Sequence, residues 1–363
     1  MTTLPLTRQG GENFPEGAGV AQAERKGGFF CKECGNESPR WAGKCPACGQ
    51  WNTLVEAPAA QRGRGRWVAP AAAQPVQLSD VAADAAPRIV LPSAELNRVL
   101  GGGIVPGSVV LLAGDPGIGK STLFLQVASA LAGRGEVLYV SGEESGHQVR
   151  LRSERLGVDG RGIFLLNETA LEPVMAHLGR MAPSAVLVDS IQTLWSDAVP
   201  SAPGSVNQVR ECTRQLMQWA KATQTPVLFA GHVTKDGDVA GPRVLEHMVD
   251  VVLYLEGESS GPLRLLRSTK NRFGSTNEVA VFQMEAEGLV EVPDPSRLLL
   301  AARSSAQVGD VVVPVLEGTR PMLMEVQALT APTTAPAPRR LTSGLDQGRL
   351  VMLCAVLGQR ARL

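Results

Sequence analysis

The chain has 363 residues, enough for two or three domains. Its 35 Lys and Arg balance 35 Asp and Glu, so no global charge draws in nucleic acid, and any such contact must come from a local patch. An uninterrupted apolar run of ~18 residues is absent, which argues against a membrane-spanning helix. No apolar signal core precedes the first cysteine, so a cytoplasmic location is the default expectation.

Residues 1–28 are polar and Gly-rich and read as a disordered leader. Residues 29–56 carry Cys31-Lys-Glu-Cys34-Gly and Cys45-Pro-Ala-Cys48-Gly, two C-x-x-C-G knuckles with ten residues between them. Each knuckle turns sharply enough to aim two sulfurs at one point. Together they offer four thiolates in a tetrahedron, the donor set of a closed structural Zn²⁺ site. A redox C-x-x-C is the alternative, but two copies are unusual for it, and neither opens a helix after a buried strand. With all four positions filled by protein no water is activated, and metal binding should drive the folding of so short a segment. Between residues 21 and 66, eight Lys/Arg stand against four Glu, a formal +4. Four thiolates and one Zn²⁺ lower that to about +2. With Trp41 and Trp51, this basic module suits phosphate contact and base stacking, and it suits a protein-contact scaffold equally well. Cys212 and Cys354 read as buried helical residues.

Residues 57–87 are rich in Ala, Pro, Gln and Arg without a period and read as a linker. Residues 88–293 then alternate strand and helix patterns. The apolar run 108–113 reads as a buried strand. It leads into Gly114-Asp115-Pro116-Gly117-Ile118-Gly119-Lys120-Ser121-Thr122, a complete G-x-x-x-x-G-K-S loop that opens a helix over 121–132. The glycines let successive amides turn toward one anion, Lys120 supplies charge for β/γ-phosphates, and the Ser121 hydroxyl suits Mg²⁺. The helix directs its positive end at the same place. A nucleoside triphosphate site follows.

Further strands are expected at 136–141, 163–166, 184–189, 226–230, 249–256, 263–269 and 279–284, and helices at 171–181 and 206–222. Another helix should run from just after Ser145 to about Leu156. The fold class is therefore α/β with a mainly parallel sheet and its chemistry at the strands' C-terminal ends. Asp189 ends one such strand, placed to hold Mg²⁺ through a water or to orient the metal's shell. Glu143 and Glu144 end another, and one of them is positioned to polarise the attacking water. The residues alone do not separate those two. His232 suits either a sensor of nucleotide or DNA, or an ordinary polar loop position.

Leu100-Gly-Gly-Gly-Ile104, followed by Pro106-Gly107-Ser108 and the P-loop, resembles the entry to a RecA-type ATPase core. Tyr139-Val-Ser-Gly-Glu-Glu-Ser145 resembles that class's second-strand acid, with Glu143 the better positional match, and Val186-Leu-Val-Asp-Ser190 resembles its metal-side Asp. Lys270-Asn271-Arg272-Phe273-Gly274 is the hallmark pentapeptide of the bacterial RadA (Sms) DNA repair family. Cys31 to Cys48, the run Cys45-Pro-Ala-Cys48-Gly-Gln-Trp51-Asn-Thr53, and Gly231-His-Val-Thr-Lys-Asp-Gly237 match that family too, so the resemblance extends from Phe29 to the C-terminus.

The resemblance implies an ATP-driven motor in homologous recombination that acts on single-stranded and branched DNA with RecA recombinase and promotes branch migration. It implies a homo-hexameric ring with ATP, Mg²⁺ and Zn²⁺ as cofactors and with ATP sites between subunits. It implies that Lys270 and Arg272 touch DNA phosphates or a neighbour's γ-phosphate, with the choice open. Family members also carry a C-terminal domain resembling that of Lon protease. Here a hairpin is expected over 310–316 and 322–329, an Ala/Pro-rich loop over 330–340 and a helix over 350–357, so residues 294–363 are expected to be an incomplete copy of that domain. A second function class treats the chain as an ATP-driven regulatory or scaffold ATPase whose zinc module binds protein; fold alone does not exclude it.

Overall fold

The computed structural model describes residues 29–31, 37–38, 40–46, 49–56, 77, 87–232, 245–257, 261–301, 308–334 and 339–361. The chain divides into two compact units, Met1–Pro293 and Asp294–Leu363.

The first unit opens with a small antiparallel sheet in which β1 (Phe29–Cys31) pairs with both β2 (Glu37–Ser38) and β3 (Leu54–Glu56). Its core is Cys31, Cys45 and Leu54 with Phe29 against them.

The main sheet has nine strands, in the order β12-β11-β10-β9-β4-β8-β7-β5-β6. Six of them run parallel: β4 (Val109–Gly114), β5 (Val137–Ser141), β6 (Ile163–Leu166), β7 (Ala185–Asp189), β8 (Val227–His232) and β9 (Val251–Glu256). The other three add on antiparallel: β10 (Leu263–Asn271), β11 (Val279–Glu285) and β12 (Gly288–Glu291).

The uninterrupted apolar runs resolve into two faces through the period of two. Val110, Leu112, Tyr139, Leu187 and Leu228 join the core under helix α2 (Lys120–Ala132). Val109, Leu111, Leu138, Val188 and Phe229 face the opposite core, with helices α4 (Leu171–Met181) and α5 (Val206–Thr223). In α5, Val209, Cys212, Leu216, Trp219 and Ala220 are buried on one helical face.

The expected elements form close to their expected bounds. The differences are short pieces. Helix α1 (Ala94–Leu100) is held by its caps: the Ser93 hydroxyl accepts from Leu96 N–H at 3.0 Å, and Gly101 adopts φ 75° at the C-terminal cap. Helix α3 (Gly146–Arg155) starts in a Ser145/Gln148 capping box. Strand β10 runs two residues past the expected 269, so the sequence 270–274 straddles a strand end and the following turn.

The second unit contains helix α6 (Pro295–Ala301), a hairpin of β13 (Asp310–Glu317) and β14 (Arg320–Gln327), and helix α7 (Gln347–Arg360). Leu323 N–H donates to the Ser296 hydroxyl at 3.0 Å, tying β14 to α6. Helix α7 buries no residue. No described helix is long and apolar enough to cross a membrane.

Candidate functional site

The P-loop joins β4 to α2 in the sheet's centre. Asp115, Pro116 and Gly117 form an exposed lip, while Ile118 is buried beneath it. Gly117 takes φ 77° and Gly119 φ 117°, conformations that cost a residue with a Cβ. At Gly114 a Cβ would stand 2.6 Å from Leu255 O, and at Gly119 2.5 Å from Met284 Cε. At Gly114 the loop is therefore pressed against the β9 backbone, so that glycine is needed for close approach, whereas at Gly119 the Met284 tip can swing aside and the positive φ is what calls for glycine.

Lys120 is 4% exposed, and its Nζ donates to Gly114 O and Asp115 O, each at 2.9 Å. Burial pushes its pKa down, and the charges of Asp189, Glu143 and Asp115 oppose that shift. Ser121 is half-buried at the helix start and Thr122 is buried behind it.

Arg264 on β10 supports this loop from below. It is 5% exposed; its Nε donates to Ile118 O at 3.1 Å, and one terminal nitrogen donates to Gly261 O at 2.5 Å and to Leu263 O at 2.8 Å. Nothing in the P-loop pattern announces a buried guanidinium 146 residues away.

The acids converge at the same end of the sheet. Ser141 pairs with Asp189 in register, and His232 pairs with Gly114. Asp189 is buried and accepts from Tyr139 O–H at 2.8 Å. Burial, with the neighbouring Asp189 charge second, raises the tyrosine pKa well above its usual value, so it stays a donor. The peptide between Asp189 and Ser190 is cis.

The two adjacent glutamates occupy different surroundings. Both Glu144 oxygens meet Arg152 at 2.5 Å, a bidentate pair that ties the β5 end to α3. Glu143 turns the other way: its Oε1 lies 2.5 Å from the Ser190 hydroxyl, which donates, and 3.0 Å from His232 Nε2. Its side chain remains 40% exposed, so water reaches it. The His232 hydrogen bond, foremost, holds its pKa at about 2; Ser190 and Lys120 help, and partial burial opposes. Gly142 lies just before it, where a Cβ would overlap Thr193.

The pentapeptide sits elsewhere. Val110 pairs with Val251 and Gly114 with Leu255, while Asn271 pairs with Val251 and Leu266 with Leu255. Lys270–Gly274 therefore lie where β4 begins and the P-loop where it ends, roughly 13 Å apart along the strand at ~3.3 Å per residue. Three of the five residues brace the fold. The Asn271 amide donates to Val99 O at 3.3 Å and accepts from Phe273 N–H at 2.9 Å. Phe273 O accepts from Arg88 at 2.7 Å, and a Cβ at Gly274 would stand 3.0 Å from Gly101 Cα. Lys270 Nζ donates to Glu246 O at 2.6 Å, and burial, then the Arg272 charge, lower its pKa. Arg272 is half-exposed and pairs with buried Asp250 at 3.4 Å.

In the small N-terminal sheet, Cys31 and Cys45 are 0% and 2% exposed. Cys31 Sγ donates to the Thr53 hydroxyl at 3.2 Å, and that hydroxyl donates to Gln50 O at 3.4 Å. Gly49 takes φ 74° and donates to Cys45 O at 2.9 Å, closing the second knuckle. Buried sulfurs in a module with so little other core fit a metal site. Cys34 and Cys48 lie outside the described residues, as do 233–237 of the Gly231–Gly237 match.

A family model described as an AAA domain matches residues 72–238, and one described as a rubredoxin metal binding domain matches residues 29–56. Fold, site and these matches together define a RecA-like P-loop ATPase, an ATP hydrolase, that carries an N-terminal zinc ribbon. DNA repair protein RadA of Bacillus subtilis (strain 168) is 50% identical over 347 residues, covering 94% of this chain and 76% of that protein. DNA repair protein RadA of Pseudomonas aeruginosa is 51% identical over 342 residues, covering 93% and 75%. The RadB recombinase crystal structure covers 55% of this chain and 97% of its own, at 23% identity and a TM-score of 0.44. The chain belongs to the RadA family of DNA repair proteins.

Proposed function

We propose that this protein is a DNA-stimulated ATPase of recombinational repair that promotes branch migration together with RecA recombinase. One observation carries the reading: Lys120, Glu143 and Asp189 meet at one end of the sheet, and Lys270 and Arg272 stand at the other. The strand register keeps those two cations away from the chain's own P-loop. In this reading they exchange the Glu246 carbonyl and the Asp250 carboxylate for phosphates of single-stranded or branched DNA, or of the nucleotide of a neighbour in a homo-hexameric ring.

In this reading the backbone N–H groups of Gly114–Thr122, except Pro116, which has none, and the Lys120 ammonium would hold the β/γ-phosphates of ATP, and Ser121 with Asp189 would hold Mg²⁺. The ion, when bound, neutralises charge that develops on the transferred phosphoryl group. Tyr139 fixes the Asp189 carboxylate. Glu143, ionised and open to water, orients and polarises the attacking water. Glu144 spends its charge on Arg152 and sets the position of α3. Cys31, Cys34, Cys45 and Cys48 hold Zn²⁺ in a structural role. Residues 1–28 serve as a leader, 57–87 as a linker, and 294–363 belong to a domain like that of Lon protease.

The test is steady-state ATP turnover with and without single-stranded DNA, beside a RecA-driven strand-exchange assay. Turnover should rise with DNA and vanish in Lys120→Ala. A turnover rate indifferent to DNA would sink the proposal.

A further inference from the structure

Two tryptophans stand on the outside of the zinc module: Trp41 is 58% exposed and Trp51 69%. Large apolar rings left in water on so small a unit mark a contact surface. Both are held in place. Trp41 Nε1 donates to Leu54 O at 3.1 Å, and Trp51 lies in an antiparallel bridge with Lys44, whose ammonium is 5.9 Å from the ring centre. Gly43 lies between the rings. A Cβ there would be 3.6 Å from Trp51 Cζ3 and 3.9 Å from Trp41 Cη2, so both indoles border one point at which the backbone is bare. Arg40 and Lys44 flank the same surface, are exposed, and make no ion pair among the described residues.

We infer that Trp41, Gly43 and Trp51, with Arg40 and Lys44, form a stacking platform for the bases of single-stranded DNA. Every base offers a π-face, so preset indoles accept any sequence; the Lys44 ammonium stands over the Trp51 ring and Arg40 precedes Trp41 in the chain, so both cations are at hand for the backbone. The bare glycine lets a base approach both rings. A protein hot spot uses aromatics differently, as anchors fully desolvated in a partner's pocket within a ring of contacts that exclude water. Here the ring borders are Arg40 and Lys44, which complement phosphate. The inference rests on the DNA-motor reading only in that DNA is the substrate. It adds a second contact surface, independent of Lys270–Gly274.

The test measures binding of fluorescent oligo(dT), and of an abasic oligomer of equal length, to the zinc-loaded full chain by anisotropy. Stacking is worth about 1–3 kcal/mol per base, roughly 5- to 150-fold in affinity. Trp51→Ala should weaken oligo(dT) binding at least about fivefold, and Trp51→Phe should recover most of it, because a phenyl ring still stacks. Abasic DNA should bind wild type and Trp51→Ala alike. Zinc stoichiometry and DNA-free ATP turnover should not change. Lys44→Ala should reduce the salt slope by about 0.7, one single-strand phosphate contact. If Trp51→Ala loses zinc, Gly43→Leu decides, since it keeps both indoles and fills the space between them; it should show the same loss. Unchanged oligo(dT) affinity in a zinc-loaded variant overturns the platform while leaving the motor reading intact. A wild-type chain that binds no oligo(dT) overturns both.

Discussion

Arg264 places a guanidinium directly under the phosphate-binding loop, and replacing it with Met keeps the stem while deleting every donor. Ile118 O then loses its 3.1 Å bond, and Leu263 O and Gly261 O lose bonds of 2.8 and 2.5 Å. Gly261 and Leu263 are half-buried and can turn to water, but Ile118 is 4% exposed and cannot. A buried acceptor stripped of its partner costs about 1–3 kcal/mol, so with the two weaker losses the fold should give up roughly 2–4 kcal/mol. At ~2–4 °C per kcal/mol for a domain of this size, Tm should fall by about 4–16 °C. Ile118 also sits between Gly117 and Gly119, both at positive φ, so freeing its carbonyl lets the loop's amides diverge. Affinity for ATP should drop about tenfold, ~1.4 kcal/mol. Turnover at saturating ATP should stay within about threefold, because Lys120 and Glu143 are untouched. Titration with a fluorescent ATP analogue gives the first quantity and steady-state kinetics the second. Arg264→Lys should recover part of the affinity through one donor. If Arg264→Met lowers Tm but binds ATP as tightly as wild type, the guanidinium supports the sheet and not the loop.

Glu143→Gln should cut ATP turnover by ~10²-fold or more while leaving nucleotide binding intact, the range of a lost general base. Glu144→Gln, which loses only the Arg152 pair, should keep turnover within about tenfold of wild type, so equal losses in the two variants would refute their separation. Glu143 also carries a pH signature. Its pKa is held at about 2 against a usual 4.5, so the stability it contributes is complete above about 4.5 and is lost as pH falls toward 2. His232→Gln removes the largest cause of that depression. The stability gap between wild type and His232→Gln should therefore be widest above pH ~4.5 and close toward pH ~2. A gap independent of pH in thermal melts would show that the His232–Glu143 bond has no such role.

Local chemistry made much of this protein legible from its residues. The P-loop is read from eight consecutive positions because its glycines, lysine and serine act within one turn of backbone. The parallel core strands are read from apolar runs that only a doubly covered strand tolerates. Short, capped pieces such as α1 and β12 escaped, since seven or four residues carry too little pattern to distinguish from a loop. Strand direction also escaped: the apolar pattern of β10 and β11 is the same whether they run parallel or antiparallel to β9.

Glu143 and Glu144 are adjacent and identical in type, and only the fold gives one to Arg152 on α3 and the other to Ser190, just past β7, and His232, at the end of β8. The pentapeptide is contiguous in sequence, yet the register of β10 divides it into three bracing residues and two cations turned away from the chain's own nucleotide loop. Which chemistries are present, the phosphate cradle, the thiolates and the acids at strand ends, follows from residue order alone, because backbone dihedrals and side-chain types act over a few bonds. Tertiary structure decided which of those groups meet, because that depends on strand order and register, and these bring residues 50 to 150 positions apart within hydrogen-bond distance.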